Sequence, residues 1–260
     1  MLYKNLLKLW LIIIFIFLYL PIIVLIIFSF DDSRFASSWS GFTLNWYIKL
    51  VNDTDLMLAL ANSLKIAFIS VAIAAIMGTI AAYALTRFKF KGKSLSIGLI
   101  MLPIVVPEIA MGISSLVLFN TLDLPLSINT VIVSHIVFCV SYITLVVLAR
   151  LEDFDTKLEE AAYDLGATPI AVFFKITLPL ISPGILAGSL LAFILSLDDF
   201  IITQFTAGVG VSTIPLKIYS LVKFGVCPEI NAMSTILILV TTSIAYLANR
   251  IIQKQNNLVS

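Results

Sequence analysis

The hydrophobic residues of this chain form six long runs separated by polar connections. Each run has about 20 residues or more, so that a helix made from it could cross roughly 30 Å of hydrocarbon. The runs cover approximately residues 9–30, 64–85, 95–119, 128–149, 181–203 and 232–252. The pattern predicts an all-α polytopic membrane protein with six transmembrane helices, organised as one transmembrane domain over residues 1–260.

Composition agrees with this pattern, because 60% of the residues are hydrophobic and only 12% are charged. That balance excludes an ordinary soluble domain. The first run lacks a small-residue cleavage site before Asp31 and Asp32, so it predicts a retained span rather than a signal peptide. Cys139, inside an apolar run, and Cys227, in a loop, indicate neither a disulfide framework nor a metal site.

The basic residues predict the orientation of the spans. Eleven of the 16 Lys and Arg residues fall on one side of the membrane. They include those near both termini and the cluster from Arg87 to Lys93. The side with more basic residues is expected to be cytoplasmic. The other side carries Arg34, Lys49, Lys65, Lys217 and Lys223. We therefore expect both termini and the connection 150–180 to lie in the cytoplasm.

Two spans contain residues that alter helix geometry or packing. Pro103, Pro107 and Gly112 should bend or locally open the third span, which is tolerated where the backbone is buried in protein or lines a cavity. Gly78 and Ala82 lie four residues apart on the second span, where small side chains let helices approach closely.

Three acidic residues interrupt the apolar spans, namely Glu108, Asp198 and Asp199. A charged group in hydrocarbon costs at least about 2.5–3.5 kcal/mol, so such groups usually face a cavity or a partner. At 1.5 Å per residue, all three lie roughly 21–24 Å from the inner face, in one layer. No Lys or Arg lies deep inside a predicted span, and a cation is the natural complement of this layer.

Neighbouring residues leave several alternatives open. Ser196 precedes Asp199 by three residues and should share its helix face. Tyr19 could offer a ring face to a cation at a similar depth, or be a packed aromatic. His135, the only histidine, is placed about 10 Å from the outer face and is better explained as a packing residue than as a metal ligand. Trp46, in the external segment 31–62, fits either an interfacial belt or a lip that contacts substrate or a docked protein.

The connection 150–180 is a polar stretch with signals for two short helices. Residues 155–165 favour a helix that ends at Gly166. Thr168 is a good N-cap and Pro169 a good first helical residue. Helices this short are marginal in water, so the element should dock against something.

The same connection resembles the EAA loop of permease subunits in binding-protein-dependent ABC importers. Glu160, Ala161, Ala162 and Gly166 fit the first part of that motif, and Ile176, Leu178 and Pro179 fit the second. The resemblance implies the type I ABC importer permease fold. It also implies that residues 155–174 form the cytoplasmic helices that sit in a groove of an ATPase subunit.

Nearly the whole chain resembles the PotC-type permeases of spermidine/putrescine ABC importers. The resemblance is carried by Tyr19-Leu20-Pro21-Ile22, Trp46-Tyr47, Pro107-Glu108-Ile109, Ser196-Leu197-Asp198-Asp199 and Leu216-Lys217-Ile218-Tyr219-Ser220. It implies polyamine contacts at Tyr19, Trp46, Glu108, Ser196, Asp198 and Asp199. One departure is Glu108, where the family is expected to carry the shorter aspartate, which leaves the balance between putrescine and spermidine open.

The resemblance also implies partners. These are a second, different permease of PotB type, an ATPase dimer of PotA type that binds ATP and Mg²⁺, and a polyamine-binding protein of PotD type in the periplasm or anchored to lipid. No catalytic residue, no cofactor and no nucleic acid is expected for this chain, whose place is the bacterial inner membrane.

Three other functions compete with a polyamine permease. A related permease could carry another substrate, although an anion pathway should have basic residues in its spans. Asp198 and Asp199 could form a catalytic dyad of an intramembrane enzyme, but adjacent residues on a regular helix point about 100° apart. A passive pore would show no dependence on ATP.

Overall fold

The protein is described by a computed structural model that covers residues 2–33, 39–152, 154–224 and 228–259. Arg34 and Cys227, which the sequence places in loops, lie outside these ranges. The described residues are helical apart from turns, loops and one isolated antiparallel bridge between Asp31 and Phe42. The predicted all-α fold class is confirmed.

The helices follow one another with short connections. In chain order they are α1 Leu2–Phe28, α2 Asn45–Asn52, α3 Thr54–Arg87, α4 Lys93–Val105, α5 Glu108–Thr121, α6 Ile128–Glu152, α7 Lys157–Asp164, α8 Pro169–Val172, α9 Leu178–Asp198, α10 Ile201–Thr206, α11 Ile214–Phe224 and α12 Pro228–Val259. A π-helical turn, Phe173–Thr177, joins α8 to α9.

Five helical segments in the described part of the chain are long and apolar enough to cross a membrane, and α4 with α5 would make a sixth. The first four are 3–28, 54–87, 128–152 and 169–198, and the last is 229–246. The predicted spans therefore reappear with shifted ends, except where two of them break.

The third predicted span is not one straight helix. Its two halves, α4 and α5, are bent by 108° at Val106 and Pro107, both of which are extended. Proline at the break lacks an amide hydrogen, so the helical bonding cannot continue through it. The predicted bend is confirmed, but a depth computed by counting residues along a straight helix does not apply to Glu108.

The fifth predicted span, 181–203, is also interrupted. α9 ends at Asp198, and Asp199 is extended before α10 begins at Ile201. The expectation that Ser196 and Asp199 share one face of a continuous helix is therefore wrong.

The chain divides into two compact units, and the division falls inside α3, α11 and α12. The first unit contains residues 1–58 and 217–242. In it, Tyr47 hydrogen-bonds Ser29 at 2.6 Å and packs against the ring of Phe30. These contacts hold α2 beside the end of α1.

The second unit, residues 59–216 and 243–260, has its apolar core along α6. α6 packs along α9, and α10 packs against α5. A side chain at Gly78 of α3 would place its Cβ 3.0 Å from Ile143, and one at Gly188 of α9 would lie 3.2 Å from the Ile143 backbone. Gly78 thus has the close-packing role predicted for it, because a larger residue would separate α3 from α6.

Candidate functional site

The break between α4 and α5 determines where Glu108 lies. Glu108 is the first residue of α5 and its side chain is exposed. A carboxylate is favoured at a helix N-terminus, where the backbone amides carry partial positive charge. At Gly112, one turn further on, a Cβ would lie 2.7 Å from the ring of Phe205. This close approach holds the start of α5 against α10.

The break after α9 determines the surroundings of Asp199. Its Oδ1 accepts a hydrogen bond from the amide of Ile202 at 3.3 Å, and its Oδ2 accepts from the amide and hydroxyl of Thr203, both at 2.8 Å. Asp199 therefore caps the short helix α10, and its side chain is only 5% exposed.

His135, on α6, is the imidazole partner of Asp199. Its Nε2 lies 3.2 Å from Asp199 Oδ2 and 3.1 Å from the hydroxyl of Thr203. Its Nδ1 lies 2.8 Å from the hydroxyl of Ser196. Both nitrogens of the buried ring thus have polar partners, as expected of a satisfied packing residue, and the contacts join α6 to α9 and α10.

Glu108 and Asp199 come together in one cleft of the second unit. The cleft has about 340 Å³ of empty space, counting the part open to its surroundings, and is lined by Pro103, Glu108, Met111, Phe138, Tyr142, Leu195, Asp199 and Ile202. Apart from the two carboxylates, the tyrosine hydroxyl is the one polar side-chain group on this wall. Such a lining suits the ammonium group of a molecule with an apolar chain.

Asp198 and Ser196 lie beside the cleft in different ways. Asp198 is the last residue of α9 and is exposed, whereas Ser196 is buried and engaged with His135. The carbonyl end of a helix favours cations, so Asp198 adds to a negative region at the end of α9.

Tyr19 and Trp46 belong to the first unit. Tyr19 is 53% exposed on α1 and stacks on Phe15, with ring centroids 6.0 Å apart. The Trp46 indole donates a hydrogen bond to the backbone carbonyl of Asp31, and the ammonium of Lys49 lies 5.7 Å from its ring centroid. The Trp46 ring face therefore already accommodates a cation.

The connection 150–180 has the predicted local structure. The Thr168 side chain accepts a hydrogen bond from the amide of Ala171, and Pro169 is the first residue of α8. Gly166 has a φ of +82°, a left-handed conformation that favours glycine. The helix, glycine turn and second helix are therefore confirmed.

One face of this connection is exposed, and the other packs against neighbouring helices of the second unit. Glu160 and Ala161 are exposed, as is Leu165 with 89% of its surface. Glu159, in contrast, is buried, pairs with Arg87 at 2.9 Å and accepts a hydrogen bond from Thr177 at 2.6 Å.

Sequence reasoning missed the roles of His135 and Glu159. Both act through partners far away in the chain, and no local pattern indicates those partners. The one signal available was chemical, because a buried ionisable group needs a partner. Among the described residues, no group of three or more His, Cys, Asp and Glu side chains is placed to hold a metal ion.

The broken helices, the acidic cleft and the helical connection together define a membrane permease subunit of the ABC-importer class. The chain matches a solved bacterial ABC transporter involved in import of the acidic polysaccharide alginate, with a TM-score of 0.77 and 20% identity over 97% of this chain and 98% of that one. It also matches the MetNI methionine ABC transporter, with a TM-score of 0.64 and 17% identity over 82% of this chain and 99% of that one.

Residues 70–257 match the family model of the binding-protein-dependent transport system inner membrane component, and the chain belongs to that family. It is 39% identical to the spermidine/putrescine transport system permease protein PotC of Haemophilus influenzae, over 88% of this chain and 89% of that protein. It is 43% identical to the putrescine transport system permease protein PotI of Escherichia coli, over 82% of this chain and 78% of that protein.

Proposed function

We propose that this chain is a permease subunit of an ATP-driven importer that carries spermidine, putrescine or both across the inner membrane. The observation that carries the proposal is the cleft shared by Glu108 and Asp199, with no Lys or Arg among its described lining residues. The names of the PotC and PotI relatives support the same substrate class. The fold alone does not choose the cargo, because a protein of the same fold imports an acidic polysaccharide.

Polyamines fit this cleft for a chemical reason. They are flexible methylene chains with ammonium groups, which match a wall of apolar side chains interrupted by carboxylates. Glu108 and Asp198 are exposed and free to pair with ammonium groups, whereas Asp199 keeps its negative charge at the deepest point. In this mechanism Ser196 acts through His135 and Asp199 rather than by direct contact.

Energy for transport would come from partner subunits. In the proposed complex, a second permease of PotB type completes the pathway, and a PotA-type ATPase dimer binds ATP and Mg²⁺. A PotD-type binding protein delivers the polyamine to the outer side, where Trp46 on α2 offers an aromatic face to a cation, and Tyr19 on α1 offers a second one within the span. Both termini and the connection 150–180 would lie in the cytoplasm.

The exposed face of α7 and α8 would dock in a groove of the ATPase. Glu160, Ala161 and Ala162 would contact that groove directly, and Gly166 would set the angle between the two helices. The ion pair of Glu159 with Arg87 would transmit movement of the docked helices to α3.

Uptake of radiolabelled putrescine and spermidine tests the proposal directly. Cells expressing this permease with its genomic neighbours should show saturable uptake of at least one polyamine, and uptake should stop when the ATPase is inactivated. Competition between the two polyamines and a simple diamine gives the preference. A complex that hydrolyses ATP with its binding protein but takes up neither polyamine would overturn the substrate and leave an importer of another cation.

A further inference from the structure

His135 is a buried ionisable side chain whose own charge has no role in the proposed transport mechanism. The residue is 1% exposed, and its ring lies between the end of α9 and the start of α10. It forms its polar contacts with Ser196, Thr203 and Asp199. These contacts connect α6 to both sides of the break in the fifth span.

The hydrogen bonds around His135 determine where its first proton lies. A carboxylate can only accept, so the Thr203 hydroxyl donates its proton to Asp199 at 2.8 Å. The Thr203 oxygen then accepts from His135 Nε2, which lies 3.1 Å away. The ring proton of neutral His135 is therefore on Nε2, where it also faces Asp199.

The second ring nitrogen can be protonated without loss of a hydrogen bond. A serine hydroxyl both donates and accepts, so Ser196 donates to Nδ1 of the neutral ring and accepts from Nδ1 of the charged ring. The site is thus compatible with two protonation states that share one geometry. The pair of His135 and Asp199 has a net charge of −1 in the first state and zero in the second.

The other titratable groups near the pair are Cys139 and Tyr142 on α6, Glu108 on α5 and Asp198 at the end of α9. Cys139 is one turn along α6, where its thiol faces the carbonyl of Ala192 on α9. Glu108, on α5, lines the cleft together with Asp199. On α3, which also packs near this part of α6, Ser70 bonds the carbonyl of Ile132 and carries no charge. Asp199 is the acidic group that His135 contacts among the described residues.

We propose that His135 is the internal counter-ion of Asp199, and that a proton on its imidazole competes with a cationic substrate for the charge of that carboxylate. A charged imidazole neutralises Asp199 and repels an ammonium group in the cleft. The inference rests on the proposed function, because it concerns the same cleft.

The test is the pH dependence of polyamine uptake by the whole complex reconstituted in liposomes, with equal pH on both faces. Wild type and His135→Gln are compared, because the Gln amide can still donate to Asp199 but does not titrate. The ratio of their apparent affinities for spermidine cancels pH effects on the binding protein and the ATPase. We expect this ratio to shift in favour of the variant as the pH falls, because only the wild-type imidazole can take up a proton.

Ser70→Ala is the matched control. It removes a buried hydroxyl that bonds the Ile132 carbonyl on the same stretch of α6 but contacts neither the imidazole nor Asp199, so the pH profile should keep its wild-type shape. If wild type transports polyamine and His135→Gln has the same profile, this inference is overturned and the proposed function stands. If wild type takes up no polyamine at any pH, the proposed function itself fails.

A measurement on the wild-type complex remains decisive if the His135 variants fail to insert. Spermidine-loaded binding protein is added to the ATP-analogue-trapped complex in weak buffer, and released protons are counted after subtraction of the binding protein alone. Proton release near pH 6 that disappears near pH 8 supports the competition. Equal proton release at pH 6 and pH 8 overturns the proposed competition.

Discussion

Asp198 and Asp199 are neighbours in sequence, but their carboxylates have different surroundings and different contacts. Asp199 caps α10 and contacts His135, whereas Asp198 is exposed at the end of α9. The break in the helix at Asp199 separates the two side chains. An enzyme-like dyad with a shared proton is not formed, because the partner of Asp199 is an imidazole.

We predict that Asp198→Asn abolishes polyamine uptake without a change in thermal stability, because only an exposed charge is removed. Asp199→Asn should abolish uptake and also lower stability by about 1–3 kcal/mol, since its amide cannot accept from all the donors that now bond the carboxylate. Uptake in cells and thermal unfolding in detergent measure the two effects. Normal uptake by either variant at wild-type expression would remove that residue from the pathway.

Asp31 provides a second prediction at this scale. Burial raises the pKa of its carboxyl, but hydrogen bonds from the amides of Ser40 and Ser33 outweigh this and leave the pKa below the ordinary value of 3.8. A lowered folded-state pKa means that the ionised group stabilises the fold above pH 3.8, and that this stabilisation is lost as pH falls through the folded value.

We therefore expect Asp31→Asn to be less stable than wild type near pH 6, with a difference that shrinks as the pH falls below about 4. Thermal unfolding in detergent across this range measures it. Asp32→Asn, a neighbouring substitution at an exposed position, serves as the control. A difference between Asp31→Asn and wild type that is independent of pH would contradict the prediction.

At the scale of elements, the connection 150–180 has one exposed face and one face held against α3 and the start of α9. We predict that Glu160→Lys and Gly166→Pro uncouple transport from ATP hydrolysis without preventing insertion. Proline cannot adopt the φ of +82° found at Gly166, and a lysine reverses the charge offered to the ATPase. ATP hydrolysis and polyamine uptake, measured in the same liposomes, give the coupling ratio.

Glu152→Lys is the control for this prediction, since it reverses an exposed acid at the end of α6 outside the two short helices. It should keep the wild-type coupling ratio. An unchanged ratio in both Glu160→Lys and Gly166→Pro would count against docking through α7 and α8.

The buried face of α7 is held in place by the contacts of Glu159 with Arg87 and Thr177. Removing one partner of a buried ion pair costs about 3–5 kcal/mol, because the other charge stays buried without compensation. Glu159→Gln should therefore speed hydrogen exchange in α7 and in the π-helical turn, since Arg87 loses its opposite charge and the amide keeps only one acceptor oxygen for Arg87 and Thr177. Glu160→Gln, at the adjacent exposed position, should leave the exchange unchanged. Equal exchange in both variants would show that the ion pair does not hold the loop.

At the scale of the whole molecule, the distribution of basic residues predicts which ends face the cytoplasm. Single cysteines at Lys91 and Asp123, both exposed, can be placed in a background without Cys139 and Cys227. In intact cells a membrane-impermeant maleimide should label the cysteine at position 123 and leave that at 91 unlabelled until the membrane is opened. The reverse pattern would invert the topology and contradict cytoplasmic docking of the 150–180 connection.

The sequence by itself determined the features that arise from local physics. Long apolar runs must form membrane helices because unpaired backbone groups are costly in lipid. Pro107 stands at the break before α5, and Thr168 with Pro169 starts α8. The need for a charge partner at Asp199 could also be deduced from its position inside an apolar run.

Only the tertiary structure decided which groups meet. His135 reaches Asp199 because α6 packs against α9, and Glu159 reaches Arg87 because α7 folds back onto the end of α3. The bend between α4 and α5 brings Glu108 to the same cleft as Asp199. Such pairings depend on packing between segments distant in the chain, and the periodicity of a single helix carries no information about them.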